Sequence, residues 1–474
     1  MKLSVKKSTH KTKFQFDIAN ISVPFANTLR RTFSTLCPTI SFSPTNPDSI
    51  RIEENSGALH NEFLKQRIGL IPILMDNANT KGDLTLRTSY DPTTAVDIDG
   101  FETARREWSF VSTDVPTFTL EEGSMVRPPG ESRKMRDITT HNFKPHFADP
   151  TKVRAIVNYF RTDPYTDEAV LITCLNYTSL NYSASEKLNI TCSLVPNLGK
   201  YHSSHDPTGA VEYSFQLPTD EILTSHFEAK FEHLNNERIG AGSAEYSESE
   251  KVQLRDNFDR LDKYRFFKTD DDGQANVFNY AVESIGFMSS ENIVLNSMKV
   301  LELALADIMA SIHIRVDDNT PVIEKYYSPK IKYMDLEEHN VNDGMRIKIT
   351  DENHTLGNII QHTIRKMYLK GMGEEDVLKL ANYKMNHPAV EEIEIYMSLH
   401  DTVTESDMDT FITKALSAHT DITAANLDIS SENKPALMYV SILLNALSKI
   451  KSDVKKLLAQ FQTKQVGELL FVER

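Results

Sequence analysis

Side chains suited to chemistry are few in this sequence, and their spacing works against most reactions. The run "HSSHD" at 202–206 sets serine, histidine and aspartate side by side. A catalytic triad, however, converges from distant segments, and chain neighbours rarely meet on one reacting atom. "KTDDDGQ" at 268–274 offers three aspartates for a magnesium ion, but in a polar stretch that reads as a solvated turn. "NLGKYHS" at 197–203 lacks the glycine spacing that cradles phosphates. Cys174, Cys192, His202 and His205 are zinc-ligand types at separations that fit no common zinc pattern. No catalytic residue, metal or cofactor is expected, and the chain reads as non-enzymatic.

What remains is recognition chemistry, and it depends on the elements that present it. "FQFDI" alternates Phe14, Phe16 and Ile18 as a half-buried strand. Ser22 and Pro24 then open a helix whose apolar face is Phe25, Leu29, Phe33 and Leu36. Pro38 stops it, because the residue before a proline is pushed out of the α region. Arg30 and Arg31 project from the side opposite Leu29 and Phe33. Their planar guanidinium forks suit bidentate bonding to carboxylates or carbonyls. A solvated helix face is the other reading of the same pair.

A second strand-to-helix unit runs from Ile50 and Ile52 through Leu59, Phe63, Leu64, Arg67 and Ile68, with Asn55 or Ser56 as cap and Gly69 as terminator. From about 75 to 270 the pattern is β-rich: "DLTLRT", "AVLITCL", "KLNITCSLV" and "VEYSFQL" are strand candidates between turn clusters. "TLEEGSMVRPPGESRKMRD" reads as an exposed loop, and 233–265 as a loop running into a polar helix. Phe278, Tyr280 and Val282 then mark a strand. It leads to a helix capped by Ser289 or Ser290, with Val294, Met298, Leu301, Leu305, Ile308 and Ile312 in heptad steps.

Residues 315–344 are polar and turn-rich and read as a linker, after which the organisation repeats. Met345, Ile347 and Ile349 alternate as a strand, and "HTLGNIIQHTI" forms an amphipathic helix in which Thr355 can cap and Gly357 permits close approach of another backbone. "VEEIEIYMSL" supplies another strand; 400–434 is polar and looped, with a short helix near "DTFITKALSA". Val440, Leu443, Leu447, Ile450, Val454, Leu457 and Phe461 form a second heptad seam.

A helix with one narrow apolar seam must bury it against something. Each seam packs either on its own sheet or on the other seam. The matched positions in the two halves favour pairing, which a tether makes intramolecular at roughly millimolar effective concentration. The expected class is α+β, a pseudo-heterodimer in one chain. The first dimerisation domain is 1–74 with 271–314, a β-rich insert domain is 75–270, and the second dimerisation domain is 345–474.

Composition bounds the partners. The 474 residues carry 52 Lys and Arg against 67 Asp and Glu, a formal charge of −15, so the chain as a whole repels nucleic acid and little or no direct DNA contact is expected. Three cysteines point to a reducing compartment rather than a disulfide framework. No run of eighteen apolar residues and no signal-peptide pattern is present, so no membrane partner is expected.

"ISVPFANTLRRTFSTLCPTI" with "EENSGALHNEFLKQRIGLIPI" resembles the dimerisation region of the bacterial RNA polymerase alpha subunit and of the third-largest subunit of eukaryotic RNA polymerase II. "VPNLGKYHSSHDPTGAVEYSF" is similar to that family's Gly-Lys…His…Pro segment. "FNYAVESIGFMSSENIVLNSMKVL" is similar to its terminal strand and helix. "MRIKITDENHTLGNIIQHTI" and "NYKMNHPAVEEIEIYMSL" resemble the small eleventh subunit, its natural partner. A fusion of the two is similar to what large cytoplasmic DNA viruses carry.

The resemblance implies a non-catalytic assembly platform for transcription, docking two large catalytic RNA polymerase subunits beside small zinc-containing ones, as a monomeric fused pair within a hetero-oligomer. By position it carries platform roles onto Asn27, Arg30, Arg31, Glu62, Arg67 and Gly69, and onto His354, Thr355, Leu356, Gly357, Asn358, His387 and Pro388. His354 is expected to be a structural hydrogen-bonder. The implied location is cytoplasmic, in a viral factory or virion, if the chain is viral, and nuclear otherwise. Departures are a cysteine-free stretch at 75–170, where many relatives hold a metal cluster, and Asn353, Asn382 and Asn386 at unusual positions. A free-standing DNA-binding or virion structural protein is the alternative reading.

Overall fold

The computed structural model describes residues 1–6, 12–75, 84–89, 106–112, 114–149, 159–163, 166–178, 186–310, 312, 314–317, 320–323, 331–335, 344–369, 371, 375–417 and 434–473. The first half is built on a four-stranded antiparallel sheet ordered β1 (Lys2–Val5), β2 (Lys13–Ala19), β14 (Val277–Ser284), β13 (Thr208–Phe215). Its alternation comes from Phe14, Phe16 and Ile18 on β2 and Phe278, Tyr280 and Val282 on β14, all buried. Helix α1 (Val23–Thr35) is capped by the Ser22 hydroxyl, which accepts from Phe25 N at 3.4 Å, and it ends before Cys37-Pro38. Helix α5 (Ser290–Ala310) lies against the same sheet.

The second half repeats the plan. Strands β17 (Ile331–Asp335), β18 (Gly344–Thr350), β20 (Glu392–Leu399) and β19 (Leu378–Lys384) form a four-stranded antiparallel sheet, covered by α6 (His354–Tyr368), on which α8 (Lys434–Thr463) packs in turn. Helix α7 (Glu405–Ser417) packs on α8.

The halves meet helix to helix. Helix α5 lies along α8, and α1 against α6, where the Thr28 hydroxyl donates to Thr355 O at 3.2 Å. None of the thirteen seam residues from Val294 to Ile312 and from Val440 to Phe461 is more than 6% exposed. At the centre Phe16 stacks on Tyr280 (5.0 Å), and Phe461 of α8 meets Phe16 edge-on at 5.3 Å. One aromatic group thus belongs to both halves.

The insert carries a sheet ordered β4 (Ile50–Asn55), β11 (Lys187–Ser193), β7 (Thr117–Gly123), β9 (Lys144–His146). It is packed around Phe42, Phe118, Phe143 and Phe160. Two small pairs flank it, β10 (Leu171–Asn176) with β8 (Met135–Thr139) and β12 (Val195–Leu198) with β3 (Pro38–Ser41). A three-stranded sheet places β21 (Phe471–Glu473), from the end of the second half, parallel to β5 (Leu86–Ser89), which pairs with β6 (Glu107–Phe110).

Several boundaries differ from the sequence reading: β3 and β4, numbered within the expected first domain at 1–74, pair with β12 and β11 of the insert. Strand β13, numbered within the expected insert, belongs to the first half's sheet, because alternation at Val211, Tyr213 and Phe215 identifies a strand without naming its neighbour. Between β13 and β14 runs an arm of two helices, α3 (Asp220–Gly240) and α4 (Glu248–Asn257), where a loop and one polar helix are expected. Its helical part hides Leu223, Phe227 and Phe258, so no long apolar stripe announces it. The stretch read as a linker contains a hairpin, β15 (Ile314–Asp317) with β16 (Thr320–Ile323), and the edge strand β17. The remainder of that linker, residues 76–83, 90–105, 150–158 and 179–185 of the insert, and 418–433 of the expected loop lie outside the described residues.

Caps differ as well. The His60 side chain caps α2 (Asn61–Gly69) through Glu62 N, while Asn55 spends its amide on Leu59 O (2.8 Å) and Asn61 (2.7 Å). Asn353, not Thr355, caps α6, accepting from Thr355 N at 2.9 Å. Phe63, one of the residues that mark α2 in the sequence, is 63% exposed; Leu64, Ile68 and Gly69 are the buried residues of that short helix.

Candidate subunit interface

The last turn of α1 leaves carbonyls that need donors. The segment "NLGK" supplies one, with Lys200 N donating to Thr35 O at 2.8 Å. Gly199 permits this approach, since a Cβ there would lie 2.5 Å from Ser34 O. The docked turn throws the Lys200 side chain across to the start of α6. Its ammonium meets Asp351 Oδ1 at 3.2 Å and Glu391 Oε2 at 3.1 Å and donates to Asp351 O. Burial alone would lower this ammonium's pKa, but the nearby Glu352, Asp351, Tyr201 and Glu391 outweigh it and hold it above the ordinary lysine value. Beside it a cavity of about 80 Å³ is lined by Leu36, Trp108, Leu301 and Glu352, among others. Arg106 of the insert makes a bidentate pair with Asp307 of α5 there.

The sequence sets Lys200 in the Gly-Lys…His…Pro segment without giving it an interface role, and gives none to Asp351 or Glu391. The signal available was Gly199-Lys200 after a strand, and nothing local says where that lysine reaches.

On α1, Arg30 Nε donates to Asn27 Oδ1 at 3.1 Å, and Asn27, Arg30 and Arg31 are half-buried. Among the described residues neither guanidinium has a carboxylate within 4.0 Å. Arg31 lies close enough to Tyr383 of β19 for its charge to oppose the upward push of burial on that phenol. Tyr383 organises the α6 end: its hydroxyl lies 3.2 Å from His354 Nδ1, and its ring packs over Gly357. What Gly357 admits is thus an aromatic ring rather than a second backbone. A Cβ at 357 would sit 2.5 Å from that ring. Gly357→Ala is expected to cost about 1–3 kcal/mol by overpacking, read as a lowered urea midpoint, and Tyr383→Leu in the same chain should recover part of it.

Leu356 is buried and Asn358 half-buried, while His387 and Pro388 are exposed in a turn where His387 Nδ1 accepts from Ala389 N at 3.1 Å. The residues expected on α2 stand elsewhere. Helix α2 rests on β4 and β10, whereas the neighbours of α1 are α5, α6 and β13. Glu62 is exposed, and Arg67 donates to Leu171 O at 2.9 Å. Gly69 closes against Pro44 and Phe42, a packing role instead of a C-cap. The expected interface residues therefore fall into two groups, one on the paired helices and one on the insert.

The chemically suggestive runs also have positions. Ser41, Ser204 and His205 do gather, with Ser41 Oγ 3.2 Å from Ser204 Oγ and 3.1 Å from His205 Nε2, but all three are sealed from solvent. The carboxylate of Asp206 accepts from Thr208 N and Oγ1 at 2.9 and 2.7 Å. Asp270 closes a tight turn by accepting from Asp272 N and Gln274 N. Cys174 lies on β10 with its thiol 3.3 Å from Asp137 Oδ1, and Cys192 is buried on β11.

Burial pushes His205 down to about 4. Its folded value lies below the ordinary 6.5, so the stability it confers is complete above about pH 6.5 and falls as pH drops toward 4, by up to about 3 kcal/mol. Denaturant midpoints from pH 7 to 4 should show this slope, and a His205→Gln chain should lack that part of it.

Comparison with known proteins follows this geometry. Residues 344–428 match the model of the RNA polymerase Rpb3/Rpb11 dimerisation domain, which spans β18, α6, β19, β20 and α7. The chain is similar to the DNA-directed RNA polymerases II, IV and V subunit 3 of Arabidopsis thaliana, 23% identical over 307 residues, covering 61% of this chain and 85% of that protein. It is also similar to the DNA-directed RNA polymerases IV and V subunit 3B of the same plant, 22% identical over 321 residues, covering 65% of this chain and 88% of that one.

Proposed function

We propose that this chain, similar to RNA polymerase subunit 3 and matching the Rpb3/Rpb11 dimerisation domain at 344–428, is a fused, non-catalytic assembly platform. In this reading each half stands for one subunit of a dimer, and the finished pair docks the two large catalytic subunits of a DNA-dependent RNA polymerase, with small zinc-containing subunits beside it. The observation that supports it best is the packing of α1 on α6 and α5 on α8 within one chain. It leaves Arg30 and Arg31 half-buried on a paired helix with no carboxylate partner among the described residues. Guanidinium groups so held are suited to a partner's carboxylates or carbonyls. A location in a viral factory or virion, or otherwise in a nucleus, belongs to the same reading.

The test is to tag the chain in its native setting and identify what co-purifies. Two large polymerase subunits at near one-to-one-to-one stoichiometry are expected, and Arg30→Glu with Arg31→Glu should lower their recovery at least tenfold while the chain itself stays folded. Recovery of the chain alone, or a salt-sensitive shift of DNA by the isolated chain, would overturn the reading.

A further inference from the structure

The end of α8 does not lead the chain away from the molecule. Val466 N bonds back to Phe461 O at 3.1 Å, and Gln465 takes the left-handed conformation (φ 53°) usual after a helix of this ending. The chain thereby turns onto the other half. Gly467, also left-handed at φ 73°, presses against α5 so closely that a Cβ would lie 2.7 Å from Glu291 O. Two asparagines one turn apart on α5 then read the main chain. Asn292 Oδ1 accepts from Glu468 N (2.7 Å); Asn296 Oδ1 accepts from Leu470 N (2.8 Å), and its amide donates to Glu468 O (2.8 Å).

Asn296 is fully buried and Asn292 nearly so. Buried amides of this kind are costly unless satisfied, and here an extended segment satisfies them. Beyond them Phe471–Glu473 joins β5 as a parallel strand. Phe471 meets Trp108 edge-on at 5.2 Å, and Glu473 reaches Lys299 at 3.5 Å. At the opposite end of the sequence the exchange is returned: Leu3 N donates to Gln460 Oε1 of α8 at 2.9 Å.

We infer that Val466–Glu473 is a peptide clasp, and that Asn292, Asn296 and the edge of β5 form a dedicated groove that reads an extended backbone and fastens the second half to the first without help from the covalent connector. The features that make it a reader are main-chain hydrogen bonds at alternate positions and apolar contacts at Leu470 and Phe471, the pattern of strand addition. The inference is independent of the polymerase reading.

The test places a protease site within 324–330 of the full chain, cuts it, and follows separation of labelled halves on dilution. The cut but otherwise intact chain should remain a one-to-one complex. A cut chain ending at Thr463 should dissociate at least tenfold more readily. A synthetic peptide of residues 464–474 should restore it, and the same peptide carrying Leu470→Asp should not. Gly467→Val, which blocks the approach to Glu291 without removing the segment, should weaken association in the same direction and serves if the shortened chain does not fold. Halves that separate with the clasp intact, halves that hold equally well without it, or a peptide that fails to restore them would each overturn the inference.

Discussion

Lys200→Met should lower stability by about 3–5 kcal/mol, the usual result of removing one partner from a buried ion pair. The Lys200 side chain is 11% exposed and that of Asp351 10%, and the lysine also faces Glu391 and Glu352, so its loss concentrates negative charge at the start of α6. Methionine keeps the length and apolar stem, so the charge is the principal change. Because the folded lysine titrates above its unfolded value, its contribution is complete below about pH 10.5 and is lost only as pH rises through the folded value. Urea denaturation at pH 7 therefore measures all of it. A loss under 1 kcal/mol would mean that solvent or rearranged neighbours replace the lysine, and that the turn at Gly199 is held by its main chain alone.

Phe461→Ala is expected to cost a similar amount, about 3–5 kcal/mol, through the lost transfer of a buried ring and the cavity left behind. The ring is fully buried, edge-on to Phe16 at 5.3 Å and 6.5 Å from Phe14, and so sits where strand β2 of one half meets helix α8 of the other. The contrast is Phe63→Ala, the same chemical change at a 63% exposed position, which should move the denaturation midpoint little, within about 0.5 kcal/mol. Comparable losses at 461 and 63 would mean that the aromatic group at the centre is not the joint between the halves.

The contrast between Phe461 and Phe63 also separates what was legible in the sequence from what was not. A 3.5-residue repeat sustained over about six turns, as from Val440 to Phe461, leaves one helical face with no alternative to burial. Phe63 rests on a nine-residue helix, where a single apolar residue has no repeat behind it. Caps were ambiguous for a local reason: Asn353 and Thr355 are both capping types, and the backbone between them selects one. Strand β13 and the clasp were hidden for a non-local reason. Alternation says that a strand has an inside, and Asn292 and Asn296 say that an amide is present, but the neighbour of each lies far along the chain. The candidate site divides the same way. Arg30 and Arg31 are visible on a helix wheel, whereas the Lys200–Asp351 pair joins residues 151 positions apart.

The arm of α3 and α4 has a consequence for how this molecule can change over evolutionary time. Phe215 and Phe278 are register partners at the ends of β13 and β14, so the whole of 216–276 is an excursion from a single hairpin turn. Doubling such an excursion costs only about 0.6 kcal/mol in closure entropy, and shortening it regains as little. The arm can grow, shrink or exchange its sequence while the strands beneath keep their register. Drift accumulating there is filtered by whatever meets its outer surface, and very little by the sheet from which it springs.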